Sequence, residues 1–107
     1  MSVTVRKRKG VRIATVRGEM TIYNANQDKT ALLEALDQGE QLEVNLVNVE
    51  EIDTAGIQLL CLLLREAAQL EKPMKLTNVN GVVQEALDLF SMTDQFGVPQ
   101  PAGEKAS

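Results

Sequence analysis

The sequence predicts an α/β fold: one domain built on a mixed sheet of about four strands, opened by an N-terminal antiparallel hairpin and packed by three or more helices. Three observations lead there. Short runs of strand period, such as Leu42, Val44 and Leu46, are separated by longer stretches of helical period. Strand and helix then alternate through the second half, which implies parallel strands joined by right-handed crossovers. Finally, 107 residues, 44% of them hydrophobic, suffice for one small core. We expect the domain to occupy residues 1–97 and residues 98–107, with two prolines and little to bury, to form a flexible tail.

Each element follows from local pattern. Val3 and Val5 alternate with polar residues, and Val11, Ile13 and Val16 continue near the same period beyond the basic tip "RKRKGVR". That pairing reads as a hairpin with a solvated tip, ended at Gly18 and followed by an extended lead-out, "EMTIY". Asn24 can cap a helix whose stripe is Ala25, Lys29, Leu32 and Leu36, with Gly39 as its stop. In "QLEVNLVNV", Leu42, Val44 and Leu46 share one face. Val47 and Val49 make the other partly apolar, as expected of a central strand.

The chain then enters "EEIDTAGIQLLCLLLREAAQL", a helix expected to end near Glu71, before Pro73. "MKLTNV" is the next strand. Asn80 can cap a last helix with Val82, Val83, Ala86, Leu87 and Phe90 in a stripe.

Several classes of chemistry lack their residues. There is no histidine and one cysteine, Cys61, so Ser–His and Cys–His nucleophile pairs and the common zinc sites cannot be assembled. No phosphate-binding glycine loop is present. The expectation is no enzyme, no cofactor and no metal. A net charge of −4 argues against general nucleic-acid binding, though a local basic patch remains at Arg6–Arg12. No apolar run reaches the roughly 18 residues needed to span a bilayer, so no direct membrane insertion is expected. The simplest reading is a reduced, cytoplasmic protein.

On a helical wheel, Leu59, Leu60, Leu63, Leu64, Ala67 and Leu70 face the sheet, with Gly56 beside them for a close approach. Thr54, Gln58, Cys61, Leu62, Arg65 and Gln69 face outward. Asp53 or Thr54 serves as the helix cap in one reading. In the other, Thr54 is a modifiable surface group at a helix N-terminus, where the dipole favours a phosphate. Asp53, Thr54, Gln58, Leu62 and Arg65 are the candidate partner contacts, and Thr54 is the phosphorylation candidate.

"LEVNLVNVEEIDTAGIQLLCLLLREA" resembles the signature of the STAS domain of bacterial anti-sigma factor antagonists: a strand, an acidic turn, a D-[ST]-[SA]-G box and a leucine-rich helix. "VRIATVRGEMTIYNA" and "MKLTNVNGVVQEALDLFSM" are similar to the family's second strand and its last strand and helix. The resemblance spans Val3 to about Phe96. It implies a non-catalytic switch in bacterial signal transduction and transcription regulation. The implied partner is an anti-sigma factor, often a serine kinase-like regulator, or a chemosensory protein.

The family's usual phosphate acceptor corresponds here to Ala55, which has no hydroxyl, and Thr54 precedes it. Thr21 and Asn45 stand where the family commonly has acids. Either Thr54 is the acceptor, or this chain is an unphosphorylated binding module. The DTAG variant is also similar to the STAS subunit of a phospholipid-transporting ABC system, which implies docking on an ABC ATPase as the alternative.

Overall fold

The computed structural model describes residues 3–91. Seven elements run in the expected order: β1 (Val3–Arg8), β2 (Val11–Met20), α1 (Ala25–Gln38), β3 (Gln41–Ile52), α2 (Thr54–Gln69), β4 (Met74–Thr77) and α3 (Gly81–Leu89). They form one four-stranded sheet in the order β1-β2-β3-β4. The β1–β2 pair is antiparallel and the other two pairs are parallel. The tail expected over residues 98–107 lies outside the described residues.

The hairpin turns through two residues. Lys9 and Gly10 both have positive φ, 49° and 85°, the conformation that matches the twist of the flanking strands. Gly10 also accepts the Glu40 backbone N–H at 2.8 Å, which ties the tip to the start of β3. The strand does not end at Gly18. It continues to Met20, and Gly18 (φ 86°) marks a register shift against β3 instead. The first two residues of "EMTIY" are thus not a free lead-out, because Glu19 and Met20 are still paired.

All the deep burial lies on one face of the sheet. Ala14, Val16, Leu42, Val44 and Leu46 are fully buried, while the residues between them are only half-buried or exposed. Both parallel crossovers step the same way along the sheet, so right-handed connections place α1 and α2 on that face. The opposite face carries Thr15, Glu43, Asn45 and Thr77 at cross-strand positions.

β3 is central, as expected, but not because it is apolar on both faces. A bulge opposite Thr15 and Arg17 inserts one extra residue after Asn45. The Asn45 side chain closes it by accepting the Val47 N–H at 3.0 Å. Val47 is turned out to 49% exposure, and Val49 re-enters the core at 2%. Asn80 then secures this region. Its Oδ1 accepts the Val83 N–H at 3.0 Å, capping α3, and its Nδ2 donates to the Val49 carbonyl at 2.7 Å.

Helix faces differ from the wheel in three places. α1 buries Asp28, Leu32, Ala35 and Leu36, leaving Lys29 exposed and Ala25 only half-buried. Leu32 and Leu36 are shared, and the stripe is turned by about 45° of wheel toward Asp28 and Ala35. Asp28 in the first turn suits the positive end of the helix dipole, so a charged residue takes an inward position that hydropathy withholds from it. Asn24 precedes the helix without capping it by side chain; its Nδ2 donates to the Glu19 carbonyl at 3.0 Å. α2 ends at Gln69, and Glu71 takes φ 56° on the way to Pro73. Leu70, placed in the core by the wheel, is exposed. In α3 only Val83 and Leu87 are buried, while Val82 and Phe90 are exposed.

One long-range contact finishes α1. The helix has no basic residue in its last turn. Lys72 supplies one from the α2–β4 loop, donating to the carbonyls of Leu36 at 2.9 Å and Asp37 at 2.8 Å. These charge-assisted bonds satisfy orphan carbonyls at the negative end of the dipole. Lys72→Met is expected to lower stability by about 1–2 kcal/mol in denaturant titration. A loss below about 0.5 kcal/mol, the level of an ordinary surface change, would rule out the capping role.

Candidate functional site: the start of the second crossover helix

The C-terminal ends of β2 and β3 meet at one end of the sheet, and the chain leaves each of them there. Two short segments are brought together: Thr21–Asn24 before α1, and Asp53–Gly56 at the start of α2. Asp53 joins them. Its Oδ1 accepts the Gly56 N–H at 3.2 Å, the N-cap bond of α2. Its Oδ2 accepts the Ile22 N–H at 3.1 Å, across 31 residues of sequence. Its own N–H donates to the Met20 carbonyl at 3.3 Å.

Gly56 lets this junction close. A Cβ there would collide with the Met20 carbonyl oxygen and would lie 2.7 Å from Ile52 Cγ1. No other residue type allows the first turn of α2 to lie so near the ends of both strands.

The outward stripe of α2 is present. Thr54, Gln58 and Arg65 are exposed, and Leu62 and Cys61 are half-buried. Thr54 is the first helical residue, so its hydroxyl stands beside N–H groups that have no intrahelical partner. Asp53 differs from the other candidates: it is half-buried and both its oxygens are engaged internally. Ala55 is half-buried and lines a groove between α1 and α2, of about 580 Å³, with Lys29, Leu62 and Arg65. Burial pushes the Cys61 thiol above its ordinary value, partly opposed by the Arg65 guanidinium. That keeps it a neutral apolar lining group rather than a nucleophile.

Sequence reading missed part of this surface. Ile22 is 70% exposed and Tyr23 89%, and both project from the segment that Asp53 holds. An isoleucine and the chain's only tyrosine, left in water beside an exposed threonine, are the usual makings of a contact surface. The available signal was their place between a strand and a helix cap, where neither periodicity assigns them a buried partner. Lys29 was missed because the expected α1 stripe placed it on the inward face. The acids Glu50 and Glu51 are exposed at the end of β3, so the site has a negative flank.

No curated protein was found that matches the sequence closely. Solved structures do match the fold. An anti-sigma factor antagonist from Mycobacterium paratuberculosis superposes with a TM-score of 0.80 at 18% identity, over 97% of this chain and 89% of its own. The anti-sigma factor antagonist SpoIIAA in its unphosphorylated form gives 0.73 at 16% identity, over 97% and 91%. A sulfate transporter family protein from Wolinella succinogenes gives 0.72 at 20% identity, over 86% and 75%. The model described as "Mlab, STAS domain" matches residues 3–99. With that match across nearly the whole chain, and a four-stranded mixed sheet whose acidic turn opens the leucine-rich α2, the protein belongs to the STAS domain family.

Proposed function

We propose that the protein is a non-catalytic cytoplasmic regulator that works by partner switching, using the outward face of α2 and the adjoining β2–α1 segment as its contact surface. The observation that carries this reading is the bond from the Ile22 backbone N–H to Asp53, which ties the segment bearing the exposed Ile22 and Tyr23 to the residue before Thr54. Exposed apolar groups held in place cost solvation without aiding the core, so a partner is their natural use. Gln58, Leu62 and Arg65 extend the surface along α2, with Asp53 as the residue that shapes it. The STAS family and the fold shared with anti-sigma factor antagonists support a protein partner, an anti-sigma or serine kinase-like regulator or a chemosensory protein.

Thr54 is the proposed switch. A phosphate on it would sit at the N-terminus of α2, where dipole and free N–H groups favour it. It would also add about −2 charge beside Glu50 and Glu51 and alter what can dock. The second reading is a STAS subunit docking on the ATPase of a phospholipid-transporting ABC system. The description of the matching family model and the resemblance of the DTAG box to that group support it, and it needs no phosphate.

Purification from the native host identifies the partner, and a binding assay with that partner tests the surface. Tyr23→Ala, Leu62→Asp and Thr54→Glu are each expected to weaken binding by at least about tenfold, with melting temperatures unchanged. Wild-type affinity in all three would place the contact elsewhere. Co-purification with an ATPase rather than a kinase-like protein would decide for the second reading.

A further inference from the structure

The basic hairpin is untouched by that function. Arg6, Lys7, Arg8, Lys9, Arg12 and Arg17 are six of the eleven basic residues in the chain, and no acid precedes Glu19. The rest of the chain has five basic residues against fifteen acids, a net of −10. Among the described residues none of the six forms an ion pair; the one present joins Lys75 to Glu43. The charge is partly separated in space: Arg6, Lys7, Arg8, Lys9 and Arg12 gather at the hairpin tip, where the acid Glu40 lies against Gly10, while Arg17 lies toward the other end of β2 beside Glu50. β3 begins beside the hairpin tip and ends at Ile52, next to Asp53. At about 3.3 Å per residue its twelve residues place the two ends about 36 Å apart. That is several Debye lengths at physiological salt, so the five cations near the tip are screened from the acids around the α2 turn.

We propose that this hairpin is a docking site for an anionic lipid surface, contacted by the tip while the α2 end points away. Two features favour a bilayer over nucleic acid. First, the cations surround the tip rather than lining one face. In β1, Arg6 and Arg8 project to the open side of the sheet and Lys7 to the other, with Lys9 in the turn itself. Fluid headgroups can gather around such an arrangement, whereas a duplex presents fixed rows of phosphates.

The second feature is apolar. Ile13 and Val11 lie directly across from Arg6 and Arg8, and Val5 is 41% exposed. Aliphatic groups between cations have an interfacial counterpart in lipid and none on a phosphate backbone. The hairpin has no aromatic residue on which a base could stack. Among the described residues no helix is long and apolar enough to cross a membrane, so the contact is peripheral.

The test is flotation of the full chain with vesicles of equal parts phosphatidylglycerol and phosphatidylcholine, and with phosphatidylcholine alone. At low salt, binding to the anionic vesicles is expected to exceed binding to neutral ones by at least about tenfold and to be lost at high salt. Each cation contributes about fivefold, so Arg6→Gln/Arg8→Gln/Lys9→Gln is expected to weaken binding by about a hundredfold. All three side chains are exposed, so its melting temperature should not move. Arg8→Gln alone, about fivefold weaker, serves should the triple variant misfold. Leu62→Asp should bind vesicles as wild type does, which keeps this test separate from that of the partner surface. Equal binding to neutral vesicles, no binding to either, or tighter binding to a short duplex DNA than to the anionic vesicles would each overturn the proposal.

Discussion

Gly56→Ala is expected to lower the unfolding free energy by about 3 kcal/mol, at the upper end for an overpacked site. For a domain this size, the melting temperature should fall by more than about 10 °C. The added methyl would meet the Met20 carbonyl oxygen, Ile52 Cγ1 at 2.7 Å and Met20 Cβ at 3.0 Å. Two of those atoms cannot turn away as a flexible side-chain end would. The Met20 carbonyl is part of the main chain and already accepts the Asp53 N–H, and Met20 itself is 1% exposed. Relief would require α2 to lift from the sheet, and Leu59, Leu60 and Leu63 would lift with it. Gly81→Ala is the control. Nothing lies within 4 Å of its Cβ position, so it should be neutral or add up to about 1 kcal/mol by restricting the unfolded chain. A cost for Gly56→Ala below about 1 kcal/mol, seen in denaturant titration, would show that the helix start can shift freely.

Asp53→Ala should cost about 2–3 kcal/mol and should also abolish partner binding. The stability loss has two parts, the N-cap bond to Gly56 and the charge-assisted bond to the Ile22 N–H. The binding loss follows from the second. Once the Ile22 N–H is released, the segment bearing Ile22 and Tyr23 is no longer tied to the start of α2, although neither residue has itself been altered. Asp53→Asn separates the two roles. Its amide oxygen can still cap α2, but its NH2 group cannot accept from Ile22, so about half the stability cost should remain with most of the binding loss. Exchange of the Ile22 amide proton reads the local release directly. Protection there unchanged in Asp53→Asn would contradict the account of Asp53 as the clamp between the two segments.

These two residues show where sequence reading reaches and where it stops. The cap at Asp53 was open as Asp53 or Thr54, because both residue types cap and periodicity cannot separate neighbours. The second oxygen of Asp53, which reaches Ile22, had no local signal at all. Gly56 was legible as a point of close approach because its wheel position falls on the sheet side. What it approaches, the end of β2 more than thirty residues earlier in the chain, was not. The outward stripe of Thr54, Gln58, Leu62 and Arg65 appears as expected, since a single long helix with a strong apolar stripe leaves little freedom in its rotation. The α1 stripe was misplaced because hydropathy ranks Asp28 as a surface residue, and its burial at a helix N-terminus is an electrostatic matter. In β3, one bulged residue after Asn45 turned Val47 outward and Val49 inward, and no propensity scale records a bulge set by an asparagine side chain.

The sequence by itself determined the order and type of the elements, the hairpin turn, the sheet-facing side of α2, the Asn80 cap and the family resemblance. Each rests on interactions within a few residues or on a period that survives any packing. Only the tertiary structure decided that Asp53 clamps two distant segments, that the exposed Ile22 and Tyr23 lie on one of them, that Lys72 finishes a helix it does not belong to, and that the basic hairpin tip lies at the end remote from the α2 turn. The contacts among these join residues 31 to 36 positions apart, and a chain places such residues together only when burial of its shared core fixes the distance between them.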